Sequence, residues 1–444
     1  RLLDLDGDQA LDLVVLARDP TAPKPRMLRI HRRKQSGVAF AAEPDERVSF
    51  LPEVIAYAFA DLRAAPGAEL VLFTAKAVFV WILGRPEGEP EVERLAEIEL
   101  LWQVPDALGP IDWQAGVRDV DGDGLDDLLV PQERGWRVCF QDRVEGLGRF
   151  EVARELEVPL DRDPSASTIE FPGAAGAAGA RARGGGGRIE LGLARKGSAG
   201  PQRFVGHALA LPNLWLGDWE GDGDLDCHAL TREHWLVFVQ GAAREFGSGP
   251  SLRLPSPVPR ERKRELDVSF AAHAGDIDGD RRLDCLFLAR DLAAREVRTQ
   301  ILVFTQGTGA LFPQDGLPRE LLLLAGFTGE ARLADLDGDG GLDFSVTSFR
   351  PDALDALRSA AGGTLDLELD VFLHSAAGFG REPALRTTVS LPLGGESIGP
   401  RFLGDVDGDG WQDLLLNDAE GRLRLRLLRR RGKALELSAR PALD

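Results

Sequence analysis

Apolar residues in this chain come in short runs, and the runs repeat in a fixed order. A run such as "QAGVR", "LWLG", "FAAHAG", "EARLA" or "PRFLG" precedes an acidic cluster, and another such as "LVVLA", "LLVP", "CLFLA", "FSVTS" or "LLLND" follows it. A third run comes next ("MLRIHR", "VFVWIL", "WRVCFQ", "WLVFVQ", "ILVFTQ", "DVFLHS", "LRLRLL"), and then a Gly-bearing turn. A fourth strand is expected at "SGVAF", "GLGRF", "REFGSG" and "TGALF". Short apolar runs bounded by Gly and Asp are strand signals. Each unit therefore predicts four strands, A to D, with the acidic cluster between A and B.

The acidic clusters are six copies of one nine-residue pattern, starting at Asp4, Asp119, Asp218, Asp276, Asp335 and Asp405. Acids stand at positions 1, 3, 5 and 9 and Gly at position 4 in every copy, as in "DVDGDGLDD". A degenerate seventh copy, "DLRAAPGAE", starts at Asp61 and keeps only its first acid and Glu69. Including it, successive starts lie 57, 58, 99, 58, 59 and 70 residues apart. The repeating unit is thus about 58 residues, with units starting near residues 1, 56, 113, 213, 270, 330 and 399. Seven units of four short strands predict one all-β domain over 1–444, a seven-bladed β-propeller of four-stranded antiparallel blades. A low-complexity insertion is expected at about 161–203. An eighth blade built from "STIEF" and "RIELGLA" is disfavoured, because the surplus there is short and rich in Gly and Ala.

Carboxylates at alternate positions of a tight loop repel one another unless a cation sits where they converge. Oxygen-only donors select calcium or magnesium, and a flexible loop of single carboxylates with a backbone carbonyl favours calcium. Gly at position 4 permits the bend that aims three side chains inward. Position 7 is expected to add its carbonyl. The predicted ligands are then Asp4, Asp6, Asp8, Ala10 and Asp12 in the first loop, and Asp119, Asp121, Asp123, Leu125 and Asp127 in the next complete one. Asp218, Glu220, Asp222, Asp224 and Asp226 follow, then Asp276, Asp278, Asp280, Arg282 and Asp284. The last two sets are Asp335, Asp337, Asp339, Gly341 and Asp343, and Asp405, Asp407, Asp409, Trp411 and Asp413. About six Ca2+ sites are expected. An EF-hand is excluded, since position 12 is never Glu and the flanks are strands. The Asp61 loop, with Arg63 and Ala65 at ligand positions, is expected to hold no ion.

The segment "DVDGDGLDDLLV" resembles the calcium loop of FG-GAP and VCBS repeats, and "VFVQGAAREF" and "ILVFTQGTGALF" resemble the later strands of VCBS units. That resemblance implies the propeller of integrin α subunits and of many exported bacterial proteins. The same fold also carries glycan binders and a few polysaccharide lyases, so it names no partner.

A formal charge of −19 excludes a nucleic-acid partner bound through its phosphates, and no apolar run is long enough for a transmembrane helix. Cys139, Cys227 and Cys285 offer neither a CxxC nor an even count, and Cys227 and Cys285 replace core residues after the motif. No nucleophile elbow, HExxH or phosphate-cradling motif is present. His228 reads as packed or solvent-facing rather than functional, and His273 is the least implausible base. Short C–D turns place the extra chain at 172–187, 255–266 and 349–363 on the face opposite the acidic loops. The expected function is an exported, non-enzymatic binding or adhesion module, extracellular, periplasmic or at the cell surface. It would recognise a protein or glycan partner on that face; the alternative is a carbohydrate-active enzyme such as a polysaccharide lyase.

Overall fold

The computed structural model describes residues 2–438 except 20, 23, 34–39, 42, 64–65, 84–91, 101–110, 112–115, 143–147, 163–187, 192–206, 232, 242–243, 256–267, 292–297, 307–317, 350–363, 393–398, 419–421 and 432–433. It is all-β, a seven-bladed propeller in which each blade is an antiparallel A–B–C–D meander. Blade 1 comprises Leu2–Leu3, Asp12–Arg18, Arg26–His31 and Glu46–Ser49, and blade 2 comprises Ala56–Ala60, Glu69–Phe73, Ala77–Trp81 and Val92–Glu97. Blade 3 follows as Val117–Arg118, Asp127–Gln132, Gly135–Asp142 and Arg149–Glu157, and blade 4 as Leu214–Gly217, Asp226–Leu230, His234–Phe238 and Leu252–Pro255. Blade 5 is Val268–Gly275, Asp284–Asp291, Arg298–Phe304 and Glu320–Ala325; blade 6 is Phe327–Ala334, Asp343–Phe349, Thr364–Phe372 and Leu385–Pro392. In blade 7, Arg401–Gly404 and Asp413–Asn417 pair with a C strand that breaks at Leu427 into Leu423–Arg426 and Leu428–Arg431, and Ala434–Leu437 closes it. Apart from Leu2, blades 1 to 4 belong to one compact unit, Leu3–Arg32 with Ala41–Ser256, and blades 5 to 7 to a second that includes Pro257–Asp444.

The B and C strands are apolar because neighbouring blades cover both their faces. In unit 1 one core runs through blades 2, 3 and 4 around Phe73, Trp136, Phe140 and Phe238, and another joins blades 1 and 2 around Leu28, Ile30, Tyr57 and Phe59. In unit 2, Phe344 stacks on Phe372 at 4.6 Å between ring centroids, with Phe379 edge-on at 4.9 Å. All three cysteines are buried here, and burial pushes the Cys139 thiol up to about 11, so they serve as small core residues.

Two sequence expectations are corrected. The D strands lie later than expected in three blades. The "SGVAF" and "TGALF" segments fall largely outside the described residues, while the strands are Glu46–Ser49 and Glu320–Ala325. "REFGSG" contributes only Glu245–Phe246, which pairs with Gln240–Gly241 ahead of the true D strand. D strands are sheet edges with one exposed face, so Leu321 and Leu323 lie open while Leu322 and Leu324 are buried, and Gly-aromatic punctuation does not mark them. The C–D connections are consequently long in blades 1, 4, 5 and 6 (residues 32–45, 239–251, 305–319 and 373–384), so the extra chain is not confined to the other face.

The segments 172–187 and 256–266 lie outside the described residues, as do 350–363. Around the first, however, the backbone forms a small three-stranded sheet, Asp161–Arg162, Arg188–Leu191 and His207–Ala210, with Ile189 opposite Leu209. The expected insertion, 161–203, therefore contains two of these strands and the third follows it; Arg188–Leu191 falls in the "RIELGLA" segment weighed above for an eighth blade.

Candidate metal centres

Each acidic motif occupies the turn of an A–B hairpin. Position 9 opens strand B and pairs with the last residue of strand A, as in Gly217 with Asp226, Gly275 with Asp284 and Ala334 with Asp343. The intervening chain must reverse sharply. Position 4 does so at φ between 73° and 81° in all six copies, from Gly7 to Gly408. Position 6 is also left-handed. Gly fills it in four copies, but Gln9 (φ 68°) and Arg281 (φ 71°) adopt the conformation without that freedom.

The acids are held by backbone donors in the same way from loop to loop. At position 1, one carboxylate oxygen accepts the position-4 N–H and the other the position-6 N–H; at Asp335 these are Gly338 at 2.7 Å and Gly340 at 3.1 Å. At position 5, the carboxylate accepts the position-7 N–H, at 2.8 to 3.1 Å, from Ala10, Leu125, Asp224, Arg282, Gly341 and Trp411. The chain is thereby wound around position 5 and the side chains of positions 1 and 3 face inward.

Position 9 does something different. Asp12, Asp127, Asp226, Asp284, Asp343 and Asp413 are all buried, at 0% or 1% exposure. One oxygen accepts the N–H of position 2, from Leu5, Val120, Trp219, Ile277, Leu336 or Val406. In five blades the other oxygen accepts an N–H at the end of strand C, from Gln141, Gln240, Gln306, His374 or Leu428, at 2.7 to 3.0 Å. This carboxylate ties strands A, B and C together. Burial, with the neighbouring carboxylates adding to it, pushes Asp127, Asp284 and Asp343 up to about 7 and Asp226 and Asp413 to about 6. The clamp was missed in the sequence, although two signals pointed to it. Position 2 is apolar in every copy, and a Gln lies at or just beyond the end of the C strands of blades 3, 4 and 5.

The degenerate Asp61 loop separates the clamp from the rest. Glu69 occupies position 9 and accepts the Leu62 N–H at 3.0 Å, while Arg63 lies 4.0 Å from its other oxygen. The position-2 half of the clamp survives where the acids of positions 3 and 5 are gone.

Five loops bring three carboxylates together, with one oxygen from each within 4.8 Å of the others. These are Asp4, Asp6 and Asp8; Asp119, Asp121 and Asp127; Asp276, Asp278 and Asp284; Asp335, Asp337 and Asp339; and Asp405, Asp407 and Asp413. The Asp218 loop does not form such a trio; there the longer Glu220 replaces Asp at position 3. The remaining predicted carboxylates of these five loops, Asp12, Asp123, Asp280, Asp343 and Asp409, lie in the same turns. The donor set is purely oxygen and fits a hard divalent cation. Asp407 Oδ1 supplies an independent sign, since it is buried and has no hydrogen-bond partner.

Adjacent loops are also linked. The N–H of position 8 donates to the position-2 carbonyl of the preceding blade in Ala68 to Leu5, Leu342 to Ile277 and Gln412 to Leu336. Arginines reach three loops: Arg32 to Asp6 at 3.0 Å, Arg244 to Asp123 at 2.7 Å, and Arg429 to Asp407 at 2.6 Å. They were not predicted, because two lie more than 20 residues from their acids in sequence and Arg244 lies 121 away.

His228 is fully buried, with Trp235 donating its indole N–H to Nδ1 at 3.1 Å and Nε2 3.0 Å from the Gly217 carbonyl. Both ring nitrogens are committed and burial holds its pKa down near 4, so it is a packed core histidine. His273 lies on the A strand of blade 5, opposite Leu286.

No protein-family model and no curated protein matches the chain. Among solved structures it is similar to a lectin of Agrocybe aegerita, described for its specific recognition of non-reducing terminal N-acetylglucosamine. The TM-score is 0.47 at 13% identity, covering 98% of this chain and 91% of that one. It is also similar to part of the Photorhabdus luminescens Tc holotoxin pore, with TM-score 0.26, 14% identity, and coverage of 93% of this chain but 22% of that one. A TcdB2–TccC3 structure matches with TM-score 0.21 and 16% identity over the same shares. Likeness at this level says nothing about a ligand.

Proposed function

We propose that this protein is a calcium-stabilised propeller of the FG-GAP and VCBS type that acts as a non-enzymatic binding module. The observation that supports it is the recurrence, in five A–B loops, of three converging carboxylates on one backbone frame. Calcium suits these loops better than magnesium, which keeps its waters and demands a stricter octahedron. With a Kd of roughly 0.1 mM and free calcium of about 1 mM, linkage contributes on the order of 1.4 kcal/mol per site. Several such sites equal much of a domain's stability. Sites of this strength fill outside the cytosol, so an exported protein is the natural setting.

Under this reading the ion neutralises the loops and the connections between strands present the recognition surface to a protein or glycan. The alternative, a polysaccharide lyase, would need a base poised at a substrate, and the residue it would call on is His273 on the A strand of blade 5. Calorimetric titration of chelator-treated protein tests the metal assignment. Calcium should bind at several sites and raise the melting temperature, with magnesium much weaker. Equal melting in chelator and millimolar calcium, with no binding heat, sinks it. A glycan array read with and without calcium tests the recognition half.

A further inference from the structure

Arginines stand where the ions would act. Arg244 lies in the C–D connection of blade 4, beside the Gln240–Gly241 and Glu245–Phe246 pairing, and reaches across to the loop of blade 3. Its Nε pairs with Asp121, one terminal nitrogen with Asp123 at 2.7 Å, and the other with Asp142 at 2.7 Å. The side chain is only 23% exposed, its guanidinium lies 5.7 Å from the Phe140 ring centroid, and its backbone adopts φ 61°. A non-glycine residue adopts that conformation at a cost, which the three ion pairs and the ring contact offset. In blade 7, Arg429 repeats the arrangement from its own C strand, with Asp407 at 2.6 Å and Asp409 at 3.9 Å, at the rim of a cleft of about 570 Å3.

In both loops the arginine holds the carboxylates of positions 3 and 5. The position-3 acids, Asp121 and Asp407, belong to the converging trios of these loops, and a guanidinium on one side of a carboxylate weakens its attraction for a second cation. We infer that Arg244 and Arg429 are built-in counter-cations that compete with calcium for loops 3 and 7, so that each loop is closed either by its arginine or by the ion. This rests on the calcium reading of the loops. It follows that these loops keep their shape when calcium is scarce, at the expense of affinity, and that filling them frees a guanidinium at the C–D edge.

The test compares wild type with Arg244→Met, which keeps the stem and removes the charge, and with Arg429→Met at a residue whose side chain is 59% exposed. Calcium is titrated calorimetrically, and melting is followed in chelator and in calcium. The expected result is that each substitution tightens one calcium site about tenfold. Each should also lower the melting temperature in chelator, so that the calcium-dependent rise grows. Arg244→Lys keeps the charge but loses the three-nitrogen fit, so it should tighten the site by less than Arg244→Met does. Unchanged calcium affinity in Arg429→Met, and in Arg244→Met if it folds, overturns the inference while leaving calcium binding intact. A wild-type protein that binds no calcium overturns the calcium reading itself and this inference with it.

Discussion

Replacing Asp343 by Ala isolates the clamp from the metal. Asp343 is fully buried, and its two oxygens accept the N–H of Leu336 at 2.9 Å and of His374 at 2.7 Å. Truncation removes the acceptor of both donors, one in a buried and one in a part-buried bond. Each orphaned donor costs about 1–3 kcal/mol, and removing a buried carboxylate that other acids already crowd offsets part of the total. The expected loss is about 3 kcal/mol, which for a unit of this size corresponds to a fall of about 6–12 °C in melting temperature. Urea denaturation followed by tryptophan fluorescence, in chelator, measures it directly. The matched control is Asp337→Asn at position 3 of the same loop, which should shift the chelator midpoint by less than about 0.5 kcal/mol and lower stability only in calcium. Glu69 is the natural precedent, since it keeps the bond to the position-2 N–H in a loop that has lost the acids of positions 3 and 5. If Asp343→Ala costs under about 1 kcal/mol in chelator, the carboxylate is not tying strands A, B and C together, and the reasoning is wrong.

Acidification should act with opposite signs with and without the ion. The position-9 carboxyls are raised in the fold to about 6 or 7 from 3.8, so the folded state takes up protons before the unfolded chain does. In chelator these groups add stability as pH falls through those values toward about 4 and lose it as pH rises. In calcium the protons compete with the ion, and the melting temperature should fall over the same range; parallel trends refute the shared-site argument. Gly122→Ala should cost about 1–2 kcal/mol in urea denaturation, all of it backbone strain at φ 73°, because nothing lies within 4 Å of the added methyl. Gln9→Gly should instead stabilise by up to about 1 kcal/mol, since Gln9 holds φ 68° without glycine's freedom. The same denaturation curves decide both.

Local information reaches a definite distance in this chain. The acidic register, the glycine at position 4 and the apolar runs on either side are short-range, so the A–B hairpins, the blade count and the cysteines' place in the core could be read from one strand and its neighbours. The D strands escaped because an edge strand has one solvated face and a weaker pattern, as Glu320–Ala325 shows. The division of labour among the acids escaped for another reason. Asp343 and Asp337 are both aspartates of one loop. Only the approach of strand C brings the His374 N–H to the first and leaves the second free to turn toward an ion. Arg244 meets Asp123 across 121 residues, a contact that exists only once blade 4 has packed on blade 3. Sequence alone determined that carboxylates would gather at the turns. Tertiary packing decided which are buried as clamps, which converge in a trio (Asp127, Asp284 and Asp413 do both) and which already face a guanidinium, because desolvation and charge pairing depend on neighbours that the chain brings together only by folding.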